Sequence, residues 1–443
     1  MTTFQARVYA QEYLPAGTAE VHALVAVRAV GAGAPAAALD AAEVILVDCS
    51  GSMGAPLTKI DAARRATAAA IDRLRDGTRF AIVAGNETAR LVYPDVLTRM
   101  AVVSETTRTG AKARVRDLEA GGGTAISTWL HLARHLFAER PDALHHAILL
   151  TDGKNESEPA DRLGAELEAC RGAFVCDCRG VGADWDRAEL ERIAHVLLGD
   201  ADIVPRPAEM VAEFERIIER AMGRRAAAVQ VVVETPGTAS VAVFAQSFPQ
   251  IEDLSDRVAW RRLDERGEWR PVDRDDPEQP MESAYPTGAW SGDEQREYHL
   301  CVGVVPQEPG DPHGLRAAVV RLVVDGEEVA EIPLLVRWTH DLRLATRMDP
   351  RLTRYLEMSD MVRDIRDGFA AMDAGDRERA TILLLRAHEI AVSSGNPTTA
   401  TLLDRVIDVR SGELRPEIAR VDRLTTEIRS TRVTASLDEG PPA

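Results

Sequence analysis

The most constraining feature of the chain is an apolar run that leads into one aspartate and two serines. Residues 44–47 are all aliphatic, and Asp48, Ser50 and Ser52 follow at every second position. A short apolar run bounded by turn residues is typical of a buried strand in a parallel sheet, and ligands bind outside the carboxyl ends of such strands. We therefore expect these three side chains on one loop, offering the oxygen ligands that hard divalent cations prefer.

Two further segments supply groups of the same kind. A glycine run at residues 121–123 precedes Thr124 and a helical pattern, and an apolar run at residues 146–150 leads into Thr151, Asp152 and Gly153. Each segment alone has a structural alternative, in which the serines cap a helix and Asp152 forms a turn. Because the segments occur together at two strand ends, the sequence favours a metal site.

This ordered set of motifs resembles the metal-ion-dependent adhesion site of von Willebrand factor A-type domains. All five positions match, namely Asp48, Ser50, Ser52, Thr124 and Asp152. The resemblance implies an α/β fold with a doubly wound, mostly parallel, Rossmann-like sheet. It also implies a bound Mg²⁺, with Mn²⁺ or Ca²⁺ as alternatives, whose coordination is completed by an Asp or Glu of a partner protein.

The same resemblance predicts a non-catalytic interaction module and no enzyme. A nucleophile elbow would need glycine at Asp48, and no Gly-Lys pair follows the glycines at the spacing of a phosphate-binding loop. A metal-assisted hydrolase remains an alternative, but it needs a general base, and Lys59 and Lys154 are interpreted as surface charges. A purely structural metal site is the other alternative.

Two other groups of residues are interpreted as structural, and a third as candidate modification sites. Cys176 and Cys178 would share one face of a strand, and we expect buried thiols there and no zinc site. His145 and His146 are expected at the edge of their strand. The segment from residue 420 is expected to be polar and disordered, which makes its serines and threonines candidate phosphorylation sites: Thr425, Thr426, Ser430 and Thr431.

The pattern of elements predicts several domains. Strands and helices alternate over residues 42–223, which predicts the A-type domain. Residues 1–40 are interpreted as a β-hairpin that joins an antiparallel β-sandwich formed by residues 226–340, so that the A-type domain is inserted between them. Within the sandwich, residues 273–292 are expected to form a polar loop. A helical region at 345–435 and a disordered tail at 436–443 complete the prediction.

Composition bears on location and partners. The formal net charge of −18 argues against nucleic acid or an anionic membrane as a partner. The five cysteines form no disulfide framework, and neither a signal peptide nor an apolar run long enough to span a membrane is expected. These features predict a cytoplasmic protein.

The layout as a whole resembles cytoplasmic actinobacterial proteins with an A-type domain. That resemblance implies an intracellular scaffold or signalling regulator. It suggests Ser/Thr kinases, phosphatases, phosphothreonine-binding proteins or an AAA+ ATPase as partners.

Overall fold

The computed structural model describes residues 2–31, 40–95, 99–264, 267–273, 279–311 and 313–433. The chain forms two compact units. One consists of residues 35–225, and the other combines residues 1–34 with residues 226–443. The predicted fold class is confirmed, because the chain contains a mostly parallel α/β sheet, further antiparallel sheets and C-terminal helices.

The chain begins with three strands of the second unit and then enters the α/β unit. The first three are β1 (Thr2–Ala10), β2 (Tyr13–Pro15) and β3 (Glu20–Gly31). The α/β unit contains β4 (Ala41–Asp48), α1 (Thr58–Arg73), β5 (Arg79–Gly85), β6 (Ala89–Tyr93), β7 (Ala101–Val102), α2 (Glu105–Arg116), α3 (Ile126–Phe137), β8 (Leu144–Thr151), α4 (Ala160–Cys170), β9 (Val175–Val181), α5 (Arg187–Val196), β10 (Ala201–Val204) and α6 (Met210–Met222).

The α/β unit is built on one sheet with the strand order β10-β9-β8-β4-β5-β6. The strands from β10 to β5 pair in parallel, whereas β6 and β7 pair antiparallel with β5. Every residue of β4 is buried, which explains its aliphatic run. Since Val47 pairs with Leu150, the residues that follow β4 and β8 emerge at the same edge of the sheet.

A buried cluster of charged side chains joins the three central strands of this unit. His146 on β8 was expected at an edge, but that expectation is wrong, because its ring is 3% exposed and lies between two carboxylates. His146 Nδ1 is 2.8 Å from both carboxylate oxygens of Glu43, and Nε2 is 3.1 Å from Asp177 Oδ2. Arg220 also donates to Asp177 Oδ2, at 2.8 Å.

The charges of this cluster shift the pKa values of its members. Burial alone would lower the pKa of His146, but the Glu43 and Asp177 carboxylates together outweigh burial and raise it. Burial would likewise raise the pKa of Asp177, but Arg220 and His146 hold it well below its ordinary value. A ring that donates from both nitrogens to carboxylates is protonated, and the raised pKa of His146 favours this form. Burial also raises the pKa of Glu43, so the ring and this carboxyl compete for the proton.

The second unit contains two antiparallel sheets followed by helices. Its remaining strands are β11 (Arg224–Thr235), β12 (Ala239–Phe248), β13 (Glu252–Asp253), β14 (Ala259–Leu263), β15 (Trp269–Val272), β16 (Met281–Ser291), β17 (Gln295–Val304), β18 (Leu315–Val324) and β19 (Glu327–Thr339). One sheet has the order β1-β3-β17-β12-β13, and the other has the order β15-β14-β16-β11-β18-β19-β2. Side chains from both sheets form one apolar core.

The N-terminal strands are divided between these two sheets. β1 and β3 pair antiparallel over nine residue pairs. The short β2 between them was not predicted, and it pairs in parallel with β19 of the other sheet.

The expectation of a loop over residues 273–292 is wrong for its second half, because β16 occupies Met281–Ser291. Residues 274–278 lie outside the described residues. The polar residues of β16 misled the sequence interpretation. Glu282 is buried, and it accepts hydrogen bonds from Arg261 at 3.0 Å and Arg321 at 2.6 Å. These arginines come from other strands, so their compensation of the charge could not be read from the local sequence.

The C-terminal segment is mainly helical: α7 (Leu342–Ala345), α8 (Pro350–Asp373), α9 (Arg377–Ser393), α10 (Pro397–Leu403), the short hairpin β20 (Ile407–Asp408) and β21 (Glu413–Leu414), and α11 (Arg420–Arg429). The expectation of a disordered segment from residue 420 is therefore wrong as far as residue 433, and the rest lies outside the described residues. Thr425, Thr426 and Ser430 are buried, which removes the basis for phosphorylation there. No helix among the described residues is long and apolar enough to cross a membrane.

Candidate metal centre

Three hydroxyl groups from two loops surround one point at the edge of the α/β sheet, next to a glycine of a third loop. Ser50 Oγ and Ser52 Oγ are 2.9 Å apart on the loop after β4. A methyl carbon added to Gly153, after β8, would lie 3.0 Å from Ser52 Oγ, 3.5 Å from Thr124 Oγ1 and 3.8 Å from Ser50 Oγ. Segments distant in the sequence therefore bring their oxygen atoms to one small space.

Two buried carboxylates adjoin these hydroxyls. Ser52 Oγ donates to Asp152 Oδ1 at 2.6 Å. Asp48 accepts hydrogen bonds from the main-chain nitrogen of Ser50 at 2.7 Å and from Thr151 Oγ1 at 2.5 Å. Both aspartates are fully buried, whereas Ser52 is exposed. The structure thus brings all five predicted residues to one edge of the sheet.

Burial raises the pKa of Asp48 to about 6, against the opposing effect of the hydrogen bonds from Thr151 and Ser50. The nearby Asp152 carboxylate raises it further. A nearby positive charge favours the ionised form of a carboxyl group. The site therefore combines oxygen donors with negative charge that a cation would stabilise.

Main-chain hydrogen bonds hold the loops together. Gly121 N donates to Cys49 O, and Gly51 N donates to Gly122 O, each at 2.8 Å. These bonds tie the loop that carries the two serines to the glycine run before Thr124. The glycine run therefore positions Thr124, as its place in the sequence suggested.

Ser157 anchors Thr124 from the other side, a contact that sequence analysis missed. Ser157 Oγ accepts from Thr124 N at 3.0 Å, and Ser157 N donates to Thr124 O at 3.0 Å. A methyl carbon on Gly123 would lie 1.9 Å from Ser157 Oγ, so this contact requires glycine at position 123. The Thr151 hydroxyl that supports Asp48 was also missed, although its position at the strand end was a signal.

Lys59 is part of the site, which corrects its interpretation as a surface charge. Its ammonium group lies 2.6 Å from Asp152 Oδ2, and its side chain is only 13% exposed. Asp152 therefore bonds to a serine hydroxyl through one oxygen and to Lys59 through the other. Lys154, in contrast, is exposed as expected.

The donor set fits a hard divalent cation. It contains three neutral hydroxyls and two carboxylates, all of them oxygen donors, and these are the ligands that magnesium-type ions prefer. The small space around Gly153 allows three of these oxygens to face one centre.

Comparison with known proteins identifies the family. A family model described as the von Willebrand factor type A domain matches residues 42–203. A solved structure described as von Willebrand factor type A from Catenulispora acidiphila is 36% identical, covers 98% of this chain and 98% of its own, and superposes with a TM-score of 0.88. The chain belongs to the von Willebrand factor type A family. Domains of this family generally mediate metal-dependent protein interactions and are generally non-catalytic.

Two more distant similarities concern the fold and the extent of the chain. The ArnB paralog VWA2 from Sulfolobus acidocaldarius shares the fold over 97% of this chain and 98% of its own, with 12% identity and a TM-score of 0.58. An uncharacterized protein of Synechocystis sp. is 30% identical over 217 residues. This chain spans about half (49%) of the length of that curated relative.

Proposed function

We propose that the chain is a non-catalytic module that binds a protein partner through a divalent metal ion. One observation carries this proposal: the hydroxyls of Ser50, Ser52 and Thr124 converge on the space beside Gly153, next to two buried aspartates. Members of this family commonly bind a divalent metal ion, which supports the same assignment.

In this proposal Asp48, Ser50, Ser52, Thr124 and Asp152 hold Mg²⁺, or in its place Mn²⁺ or Ca²⁺. Two carboxylates balance the charge of a divalent ion, and the three hydroxyls add none. An ion with six ligands would therefore have one position left for a carboxylate of the partner. When bound, the metal supplies an electrophilic centre that attracts an acidic side chain.

The chain's own residues would prepare this site. Thr151 and the main chain of Ser50 orient the Asp48 carboxylate, while Ser157 positions Thr124. Lys59 lies 2.6 Å from Asp152 Oδ2, so its ammonium group would be a positive charge next to the bound ion and to the partner's carboxylate.

The proposed role is that of a cytoplasmic scaffold or signalling regulator. The partner classes are those implied by the family resemblance: Ser/Thr kinases, phosphatases, phosphothreonine-binding proteins or an AAA+ ATPase. The reduced state expected for the five cysteines supports the location, since each of them is free and buried.

The experiment that tests the proposal compares the native chain with the Asp48→Ala and Thr124→Ala variants. Titration with Mg²⁺ by calorimetry should show binding to the native chain and a loss of at least about tenfold in affinity, ~1.4 kcal/mol, in each variant. Partner capture from the native cell should require Mg²⁺ and should fail with chelator or with either variant.

Circular dichroism and chemical unfolding distinguish this function from the alternatives. Variants that retain the fold but lose capture support the interaction module. If the variants unfold, the metal is structural, and if the native chain turns over phosphoesters in an Asp152-dependent manner, it is a hydrolase. Either result would overturn the proposal.

A further inference from the structure

A second group of metal-ligating side chains lies on the sheet of the discontinuous unit. Glu20 and His22 on β3 and Cys301 on β17 each offer one ligand atom, and these atoms lie within 4.8 Å of one another. His22 and Cys301 are directly paired across the two strands. Glu20 is two residues before His22 and therefore projects from the same face of the sheet.

The three ligand residues differ in their exposure to solvent. Cys301 is 4% exposed, whereas Glu20 is exposed and His22 is half-buried. His22 Nε2 lies 3.8 Å from Glu20 Oε2. Neighbouring ligand atoms in a tetrahedral zinc site are about 3.5 Å apart, given bond lengths near 2.1 Å. The Glu20–His22 distance is therefore close to that spacing, and the exposed Glu20 side chain can adjust by rotation.

A second histidine orients the first. His22 Nδ1 lies 3.1 Å from His299 Nε2, and the planes of the two rings are nearly parallel, with an interplanar angle of 15°. On its other side, the His299 ring stacks on Tyr355 of α8, with ring centroids 4.5 Å apart. Histidines that bind metals usually donate their second ring nitrogen to a fixed acceptor. His299 Nε2 can serve as such an acceptor, and the contact leaves His22 Nε2 facing Glu20.

We propose that Glu20, His22 and Cys301 form a binding site for a zinc-class transition metal ion, with His299 as the residue that positions His22. The thiolate and imidazole are ligands that Zn²⁺ and Co²⁺ accept and that Mg²⁺ disfavours. Three protein ligands leave a fourth position for water or another small ligand. This site is independent of the all-oxygen site in the α/β unit and of the function proposed for it.

The test is a titration of the full, reduced chain with Co²⁺, followed by its absorption spectrum. Cobalt bound to a thiolate has an intense charge-transfer absorption that an all-oxygen site lacks. We expect this absorption to saturate at one equivalent, to disappear on addition of Zn²⁺, and to persist in excess Mg²⁺.

Variants assign the ligands. Cys301→Ser should abolish the charge-transfer absorption, and Glu20→Gln and His22→Gln should each weaken Co²⁺ binding by about tenfold or more, as the loss of a metal-site residue does. Because Glu20 is exposed, Glu20→Gln should fold even if Cys301→Ser does not. His299→Phe, which keeps a ring against Tyr355 but has no acceptor, should weaken binding while leaving the absorption maximum in place.

Matched controls should retain the native titration. Cys170→Ser changes a buried cysteine of the other unit, His340→Gln changes an exposed histidine of this unit, and Ser52→Ala removes a hydroxyl of the proposed magnesium site. The proposal is overturned if the native chain shows no thiolate absorption with Co²⁺. It is also overturned if Glu20→Gln and His22→Gln leave the affinity unchanged, or if Ser52→Ala abolishes the absorption.

Discussion

Gly153 determines how closely the hydroxyls of the proposed magnesium site can approach one centre. A methyl carbon at this position would lie 3.0 Å from Ser52 Oγ and 3.5 Å from Thr124 Oγ1. Gly153→Ala should therefore fill the metal position and lower Mg²⁺ affinity by about tenfold or more, ~1.4 kcal/mol or more of binding free energy. Calorimetric titration measures the affinity, and chemical unfolding should show little loss of stability.

Gly121→Ala is the matched control for that substitution. No atom lies within 4 Å of a methyl carbon placed on Gly121, although this glycine belongs to the loop that positions Thr124. The Gly121→Ala variant should bind Mg²⁺ with the same affinity as the native chain. Equal affinities for the Gly153→Ala and native chains would show that the ion does not bind between the three hydroxyls.

Lys59 competes with a cation for Asp152, because its ammonium group already lies 2.6 Å from Oδ2. Removing this charge should strengthen metal binding, since like charges in a partly buried site repel each other. Lys59→Met should raise Mg²⁺ affinity by about tenfold, or ~1.4 kcal/mol. Lys154→Met, an exposed lysine two residues after Asp152, should change the affinity much less. Weaker Mg²⁺ binding in Lys59→Met would mean that Lys59 supports the site by orienting Asp152.

At the scale of secondary structure elements, the cluster across β4, β8 and β9 predicts how stability depends on pH. The pKa of His146 is raised above its ordinary value of 6.5, so the folded chain keeps a proton that the unfolded chain releases. The stabilisation is fully present below about pH 6.5 and is lost as the pH rises through the folded pKa. The contribution from Asp177, whose pKa is lowered, is lost only as the pH falls below about 4.

Chemical unfolding of the native chain and of His146→Gln between about pH 6 and pH 9 tests this expectation. The native chain should lose stability with rising pH at a rate of up to about 1.4 kcal/mol per pH unit more than the variant, because one proton is involved. His340→Gln, which changes an exposed histidine of the other unit, should keep the native slope. Parallel pH profiles for native chain and His146→Gln would show that His146 is not protonated in the folded state.

Three features could be predicted because each leaves a local pattern in the sequence. They are the alternation of strands and helices, the buried strand before Asp48 and the convergence of five site residues. Errors arose where distant residues compensate a polar group. Glu282 made β16 resemble a loop, although Arg261 and Arg321 neutralise it from other strands. The error for His146 has the same origin. The sequence predicts an edge position for it because its two carboxylate partners are distant along the chain and meet the ring only on neighbouring strands of the fold.

In the proposed magnesium site, too, some residues could be predicted from local sequence patterns and others could not. Its ligand candidates follow strand ends and glycines, which are visible in the sequence. Its supporting contacts are not visible, because Ser157 reaches Thr124 and Lys59 reaches Asp152 only after the loops have folded. The short β2 was missed for a related reason, since three residues between two longer strands carry too little periodicity to be recognised.

For the molecule as a whole, the order of the chain determines which parts can fold alone. All strands of the α/β sheet come from one continuous segment, residues 40–225. We therefore expect this fragment to unfold cooperatively and to bind Mg²⁺ with the affinity of the full chain. Circular dichroism and calorimetry on the purified fragment check both expectations, and an unfolded fragment would contradict them.

The other unit should not fold from residues 226–443 alone, because β3 is an interior strand that lies between β1 and β17. Its inward residues Val21, Ala23, Val25, Val27 and Ala29 are at most 1% exposed. Each buried valine contributes about 1.5 kcal/mol or more, which is a large share of the ~5–15 kcal/mol that stabilises a typical domain. Without β3, the edge of β17 would also be open to pairing with other chains.

Fragment 226–443 should therefore aggregate or unfold without cooperativity, and co-expression with residues 1–34 should restore a soluble, cooperatively unfolding complex. A monomeric fragment 226–443 with a sharp unfolding transition would show that the N-terminal strands are dispensable for this unit.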